Sequence, residues 1–217
     1  MKGGEIKIPI SRSYLLMVLN EQKGKRYIRG DLSLGFAGSL LMDLFLLGKI
    51  TITNSTVEII NSSSTKNEYL DQILKILEIS KRKRSLRMWV ATLSQKYKHY
   101  YYLYFDLMEQ QGIIKSEIRP ILGSKLYYLQ KPEFKSQLLE KIHNLVNNNI
   151  EPSINIICLL TLLDASKLLK KYMSRDLRRK ARNRIKKILF SEQFDSLSRE
   201  MILRIKKGIR SLGGAPI

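Results

Sequence analysis

The chain has 217 residues, with 39 Lys and Arg against 19 Asp and Glu, which leaves a formal net charge of +20. A hydrophobic content of 44% beside 27% charged residues excludes wholesale disorder, and the length suits one domain with a real core. One cysteine, Cys158, excludes an intramolecular disulfide and a Cys-based zinc cluster and points to a reducing compartment, while two histidines, His99 and His143, leave too few ligands for a transition-metal site or a His-centred triad.

In chain order the pattern is mostly helical. Ser11–Asn20 carries Leu15, Leu16, Val18 and Leu19 and ends at a turn-like Gln22-Lys23-Gly24-Lys25. Ser33–Leu47 starts at an N-cap serine and stops at Gly48, and its body is apolar nearly all round, which predicts a central core helix. Lys49–Ile60 alternates about Asn54-Ser55 and predicts a β-hairpin. Leu70, Ile73, Leu74 and Leu77 mark an amphipathic helix, and a helical pattern resumes over Arg87–Ser94 with Trp89. The tyrosine-rich helix Lys98–Gln111 ends at Gly112, and Ile113–Leu129 reads as a second hairpin with its tip near Pro120–Ser124. Leu138 to Val146 form another helix, broken by Asn147-Asn148-Asn149, and three more follow at Pro152–Met173, Arg175–Phe190 and Ser198–Ser211. The expected fold class is therefore mainly α, a single-domain helical bundle with two β-hairpins.

Charge is concentrated late in the chain. Lys167–Lys187 holds eleven Lys and Arg against one acid, Asp176. Leu177, Ala181, Ile185 and Ile188 recur at helical spacing within it, so one stripe faces a core and the rest is cationic. Eleven like charges repel one another, and an anionic partner would relieve that repulsion. The natural counter-charge is phosphate, in a lipid headgroup layer or in nucleic acid. No catalytic constellation or glycine-rich phosphate loop is present, and no cofactor is expected. Asp43, alone within LLMDLFLL, reads as a capped or paired structural carboxylate; Cys158 as an inert core thiol; Trp89 as core; His143 as a boundary residue. The most apolar run, Ile154–Leu163, is too short to span a membrane, and the N-terminus carries no targeting pattern.

Five pieces, in order, resemble the Golgi phosphoprotein 3 family: YLLMVLNEQKGK at Tyr14–Lys25, GFAGSLLMDLFLLGKI at Gly35–Ile50, MWVATL at Met88–Leu93, LMEQQGII at Leu107–Ile114 and CLLTLLDASKLLKKY at Cys158–Tyr172. The second is the most specific, with its Gly-x-x-Gly, an apolar helix bearing one acid, and then Gly-Lys-Ile. The resemblance implies one mainly helical domain with a protruding second hairpin, expected over 14–212 with an arm at 1–13 and a tail at 213–217. It implies a non-enzymatic peripheral protein on the cytoplasmic face of a membrane, of the shorter, prokaryotic-type branch, whose chain starts almost at the domain. Eukaryotic relatives bind phosphatidylinositol 4-phosphate and help retain glycosyltransferases. Their headgroup pocket of one Trp and three Arg aligns with Ile28, Ala37, Lys98 and Tyr101 here, of which only Lys98 keeps the charge.

The reading that follows is an anionic-phospholipid-binding peripheral protein. Its expected headgroup contacts are Lys98, Arg175, Arg178, Arg179 and Arg182. Pro120, Ile121 and Leu122 at the hairpin tip are expected to insert into lipid or to pack against a second copy in a homo-oligomer. Little preference for phosphatidylinositol 4-phosphate is expected. An adaptor role for cytoplasmic tails of membrane proteins is compatible with this. The competing reading is a nucleic-acid module, because Arg87–Leu129 imitates a winged helix. The helix before the wing carries Asp106, Glu109 and six aromatic residues from Tyr97 to Phe105, a distribution that fits packing better than entry into a groove.

Overall fold

Two helices that are apolar on nearly every side organise the fold, α2 (Asp31–Leu46) and α7 (Ile154–Ala165). They pack on one another, and the remaining elements surround the pair. The computed structural model describes residues 8–20, 25–26, 31–80, 82–118, 125–147 and 153–213, with backbone alone at 25–26 and 97–98. Around α2 lie α1 (Ile10–Val18), α3 (Glu68–Glu78), α4 (Leu86–Gln95), α5 (Tyr97–Gln110) and α9 (Ser196–Gly213); around α7 lie α1, α6 (Pro132–Val146), α8 (Arg175–Leu189) and α9. The mainly helical architecture is as expected. Among the described residues, no helix is long and apolar enough to cross a membrane.

The signature around α2 has a packing cause. A methyl group at Gly35 would overlap the hydroxyl of Tyr14, which is wholly buried on α1. At Gly38 it would come 2.8 Å from Cγ2 of Ile205, so this glycine lets α9 lie close against α2. Gly48 ends the helix segment at φ +63, a left-handed conformation that costs glycine little. Lys49, buried behind it, donates to Ser63 O at 2.7 Å and Ser63 Oγ at 2.6 Å and so fastens the polar loop over the first hairpin.

That hairpin pairs β3 (Ile50–Thr53) with β4 (Thr56–Ile59), placing Ile52 opposite Val57. Asn54 and Ser55 both have positive φ, as a two-residue turn matching the strand twist requires. The second hairpin pairs β5 (Ile114–Ile118) with β6 (Lys125–Leu129). Its base is anchored by buried Ile114 and Tyr127 and by Glu109 of α5, which accepts from Ser116 N and Oγ, both at 2.7 Å. Its far rung leaves Ile118 exposed.

Three expectations need correcting. α2 already starts at Asp31, so Ser33 lies in its first turn and is not its N-cap. The first helix stops at Val18, because Leu19–Asn20 (β1) pairs antiparallel with Lys25–Arg26 (β2), a third two-stranded ladder among the described residues. The helix expected over Pro152–Met173 ends at Ala165 instead. Lys167 adopts φ +60, a short 3-10 turn follows at Leu168–Lys171, and Ser174 then caps α8. Lys167 there pairs with Asp31 Oδ2 at 2.8 Å, which ties the end of α7 to the start of α2 and takes this cation away from the α8 face. The tip residues Pro120, Ile121 and Leu122, together with Ile28, lie outside the described residues.

Candidate functional site

The cationic face is built on α8. Ser174 Oγ accepts from Leu177 N at 3.3 Å to start the helix, and Ala181, Ile185, Ile188 and Leu189 are buried along one side. At 100° per residue, Arg175, Arg178, Arg179, Arg182 and Lys186 then fall on one stripe beside that buried side. Arg175, Arg179 and Arg182 are exposed. Arg178 is half-buried and donates to Met173 O at 2.9 Å. Arg179 reaches Asp176 at 3.6 Å, an exposed pair of small energetic weight.

Behind this stripe lies a charge cluster that the sequence pattern does not disclose. Asp164 is the one acid of α7, in its last turn, where the helix dipole disfavours an anion. Its side chain is wholly excluded from solvent. Compensation comes from three cations: Arg182 Nε of α8 at 2.7 Å on Oδ1, Arg210 of α9 at 2.5 Å on Oδ2, and Lys206 of α9 at 3.5 Å on Oδ2. Burial holds the Lys206 amine below its ordinary pKa, against the opposing pull of Asp164. Above the cluster a groove of about 730 Å³ runs between α8 and α9. Lys186 and Lys207 join its lining, so five cations face it, three of them paired with the buried Asp164.

Of the residues expected to meet a headgroup, the structure brings Arg175, Arg178, Arg179 and Arg182 together. It places Lys98 apart from them, in the first turn of α5, with its side chain outside the described residues. The positions aligned with the relatives' headgroup pocket are closed where they are described. Ala37 is 1% exposed, and Tyr101, 2% exposed, stacks on Phe105 with centroids 4.2 Å apart. Reading along the chain missed Asp164, Lys206, Lys207 and Arg210. The signals available were the lone acid in CLLTLLDA and the run of bases in RIKKGIR.

The remaining singled-out residues are structural. Asp43 accepts from Ile10 N at 2.7 Å and Ser11 N at 2.9 Å, capping α1, whose N-cap position is Pro9 and offers no side-chain acceptor. Burial pushes its carboxyl up to about 6. Cys158 is buried, and burial raises its thiol pKa. Trp89 is core, with Arg84 over its ring at 5.1 Å. In the winged-helix look-alike, Tyr100, Tyr101, Tyr104 and Phe105 of α5 are buried, so this helix packs inward instead of presenting a reading face.

The sequence profile of the Golgi phosphoprotein 3 (GPP34) family matches residues 10–204, from the first residue of α1 into α9. That family is known for phosphoinositide-binding peripheral Golgi proteins and for non-enzymatic lipid-binding adaptors. No curated protein matches the chain. With the ordered motifs, the glycine-dependent packing of α2 and this match over most of its length, the chain belongs to the Golgi phosphoprotein 3 family.

Proposed function

We propose that this protein is a peripheral membrane protein that docks on anionic phospholipid headgroups through the α8 stripe of Arg175, Arg178, Arg179 and Arg182. The observation that carries this reading is the charge of α8, eight Lys and Arg against Asp176 alone, with exposed arginines aligned on one side. Each Lys or Arg held near an anionic leaflet contributes about 1 kcal/mol, so four give roughly a thousandfold attraction, enough for reversible docking. Lys98 and the tip residues Ile121 and Leu122 are proposed as secondary contacts with lipid or with a second copy, a reading that the exposed Ile118 on the last described rung supports. Tail-binding adaptor activity is proposed on family membership alone. Burial of Ala37 and Tyr101 supports headgroup recognition by charge, without a preference for phosphatidylinositol 4-phosphate.

Co-sedimentation tests the reading. The chain is expected to pellet with phosphatidylglycerol vesicles and not with phosphatidylcholine vesicles, and to release as salt rises from 0.05 to 0.5 M. Phosphatidylinositol 4-phosphate vesicles of matched charge should give no further gain, and duplex DNA should compete weakly. Equal pelleting with neutral vesicles, or displacement by equimolar DNA, contradicts it.

A further inference from the structure

We propose that the groove between α8 and α9 is a discrete binding site for one anionic amphiphile, a single aliphatic chain ending in a phosphate. The proposal rests on the membrane reading above and gives it a defined headgroup site.

Three observations support it. The groove faces five cations, and among the described residues the one carboxylate paired with any of them is Asp164, which holds three. Arg182 engages Asp164 through Nε and Arg210 through a terminal nitrogen; their side chains remain 51% and 49% exposed, so each fork keeps donors for a second anion. Lys186 and Lys207 have no ion pair or hydrogen bond among the described residues, and a cleft lined by one sign of charge concentrates counter-ions.

The second observation is the lining away from the charges. Leu203 and the exposed ring of Phe190 form an apolar wall, with buried Leu189 below them. A bare phosphate has no use for that wall, whereas an alkyl chain covers it. Size is the third. About 730 Å³ falls within the roughly 300–1,000 Å³ of small-molecule pockets. Arg182 and Lys186 also belong to the stripe that carries Arg175 and Arg179, so the groove opens where the membrane reading places the lipid surface.

Calorimetric titration of the full chain with monodecyl phosphate, below its micelle concentration, tests the site. Inorganic phosphate and decyl maltoside each supply one half of the ligand. The expected result is one equivalent of decyl phosphate bound at least tenfold more tightly than either. Lys186→Ser with Lys207→Ser should weaken it at least tenfold, and Lys186→Arg with Lys207→Arg should restore it. Phe190→Ser should weaken decyl phosphate and leave inorganic phosphate unchanged. Equal affinity for inorganic phosphate, equal affinity for decyl maltoside, indifference to the serine pair, or binding of hexaglutamate in place of decyl phosphate each overturns the proposal. A wild-type chain that pellets with phosphatidylglycerol vesicles but ignores decyl phosphate refutes the groove alone. One that binds decyl phosphate yet fails to pellet upholds the groove and refutes the membrane reading.

Discussion

Removing the charge of Asp164 probes how the cationic surface is held together. In Asp164→Asn the side chain keeps its volume but turns from an acceptor for three cations into a neutral amide with one acceptor oxygen. Two charge-assisted hydrogen bonds from arginine are lost or weakened, at about 1.5–3 kcal/mol each. Arg182 and Arg210 stand half in water and recover hydration, which places their losses at the low end. Lys206, only 18% exposed, recovers little. The sum is about 2–4 kcal/mol. For a chain of this length, about 2–4 °C per kcal/mol converts that into a melting temperature lower by roughly 5–15 °C. Thermal melts by circular dichroism at pH 7 should show this drop with little change between 0.05 and 0.5 M salt, because the carboxylate is buried. Asp176→Asn, at an exposed acid on the same face, is the control and should shift the melt by about 1 °C at most. If Asp164→Asn melts with the wild type, or no lower than Asp176→Asn, the carboxylate does not organise the cluster.

Asp43 gives a pH signature: burial raises its folded pKa from 3.8 to about 6, so its contribution is full below pH 3.8 and is lost as pH rises through 6. The wild type minus Asp43→Asn difference in urea stability should therefore fall by about 3 kcal/mol between pH 3.5 and 6.5, and a flat difference contradicts the assignment. Gly35→Ala should lower the melting temperature by roughly 2–10 °C through overpacking against Tyr14, with partial recovery in Gly35→Ala/Tyr14→Phe; an unchanged melt refutes the close approach. Ile121→Ser with Leu122→Ser should weaken vesicle binding or self-association while the melt stays within about 1 °C; an early melt would make the pair core.

Much of the fold was legible because its determinants are local. The apolar body of α2 and its stop at Gly48, the Asn54-Ser55 turn and the Ala181, Ile185, Ile188 stripe of α8 each declare themselves within a few residues. The break after Ala165 was not legible. Lysine has no preference for φ near +60, and Lys167 adopts it where its amine reaches Asp31, 136 positions earlier in the chain. The arginines of α8 were legible as a run of charge, but the groove was not. Its cations come from two helices far apart in the chain, positions 182 and 186 of α8 and 206, 207 and 210 of α9, and only the packing of α7, α8 and α9 assembles them around Asp164. Likewise Asp43 could be read as structural from its surroundings, while its role as the cap of α1 depends on a contact 33 residues away.

On the proposed function a particular face, and not net charge, meets the membrane. Two variants of equal net charge separate these: Arg175→Glu with Arg179→Glu on α8, and Lys66→Glu with Lys75→Glu, exposed residues before and on α3, which packs against α2 and α5. Each lowers the net charge by four. Quantitative co-sedimentation with phosphatidylglycerol vesicles at 0.1 M salt should show the α8 variant weakened at least a hundredfold and the α3 variant less than threefold. Equal losses from the two variants would contradict the claim.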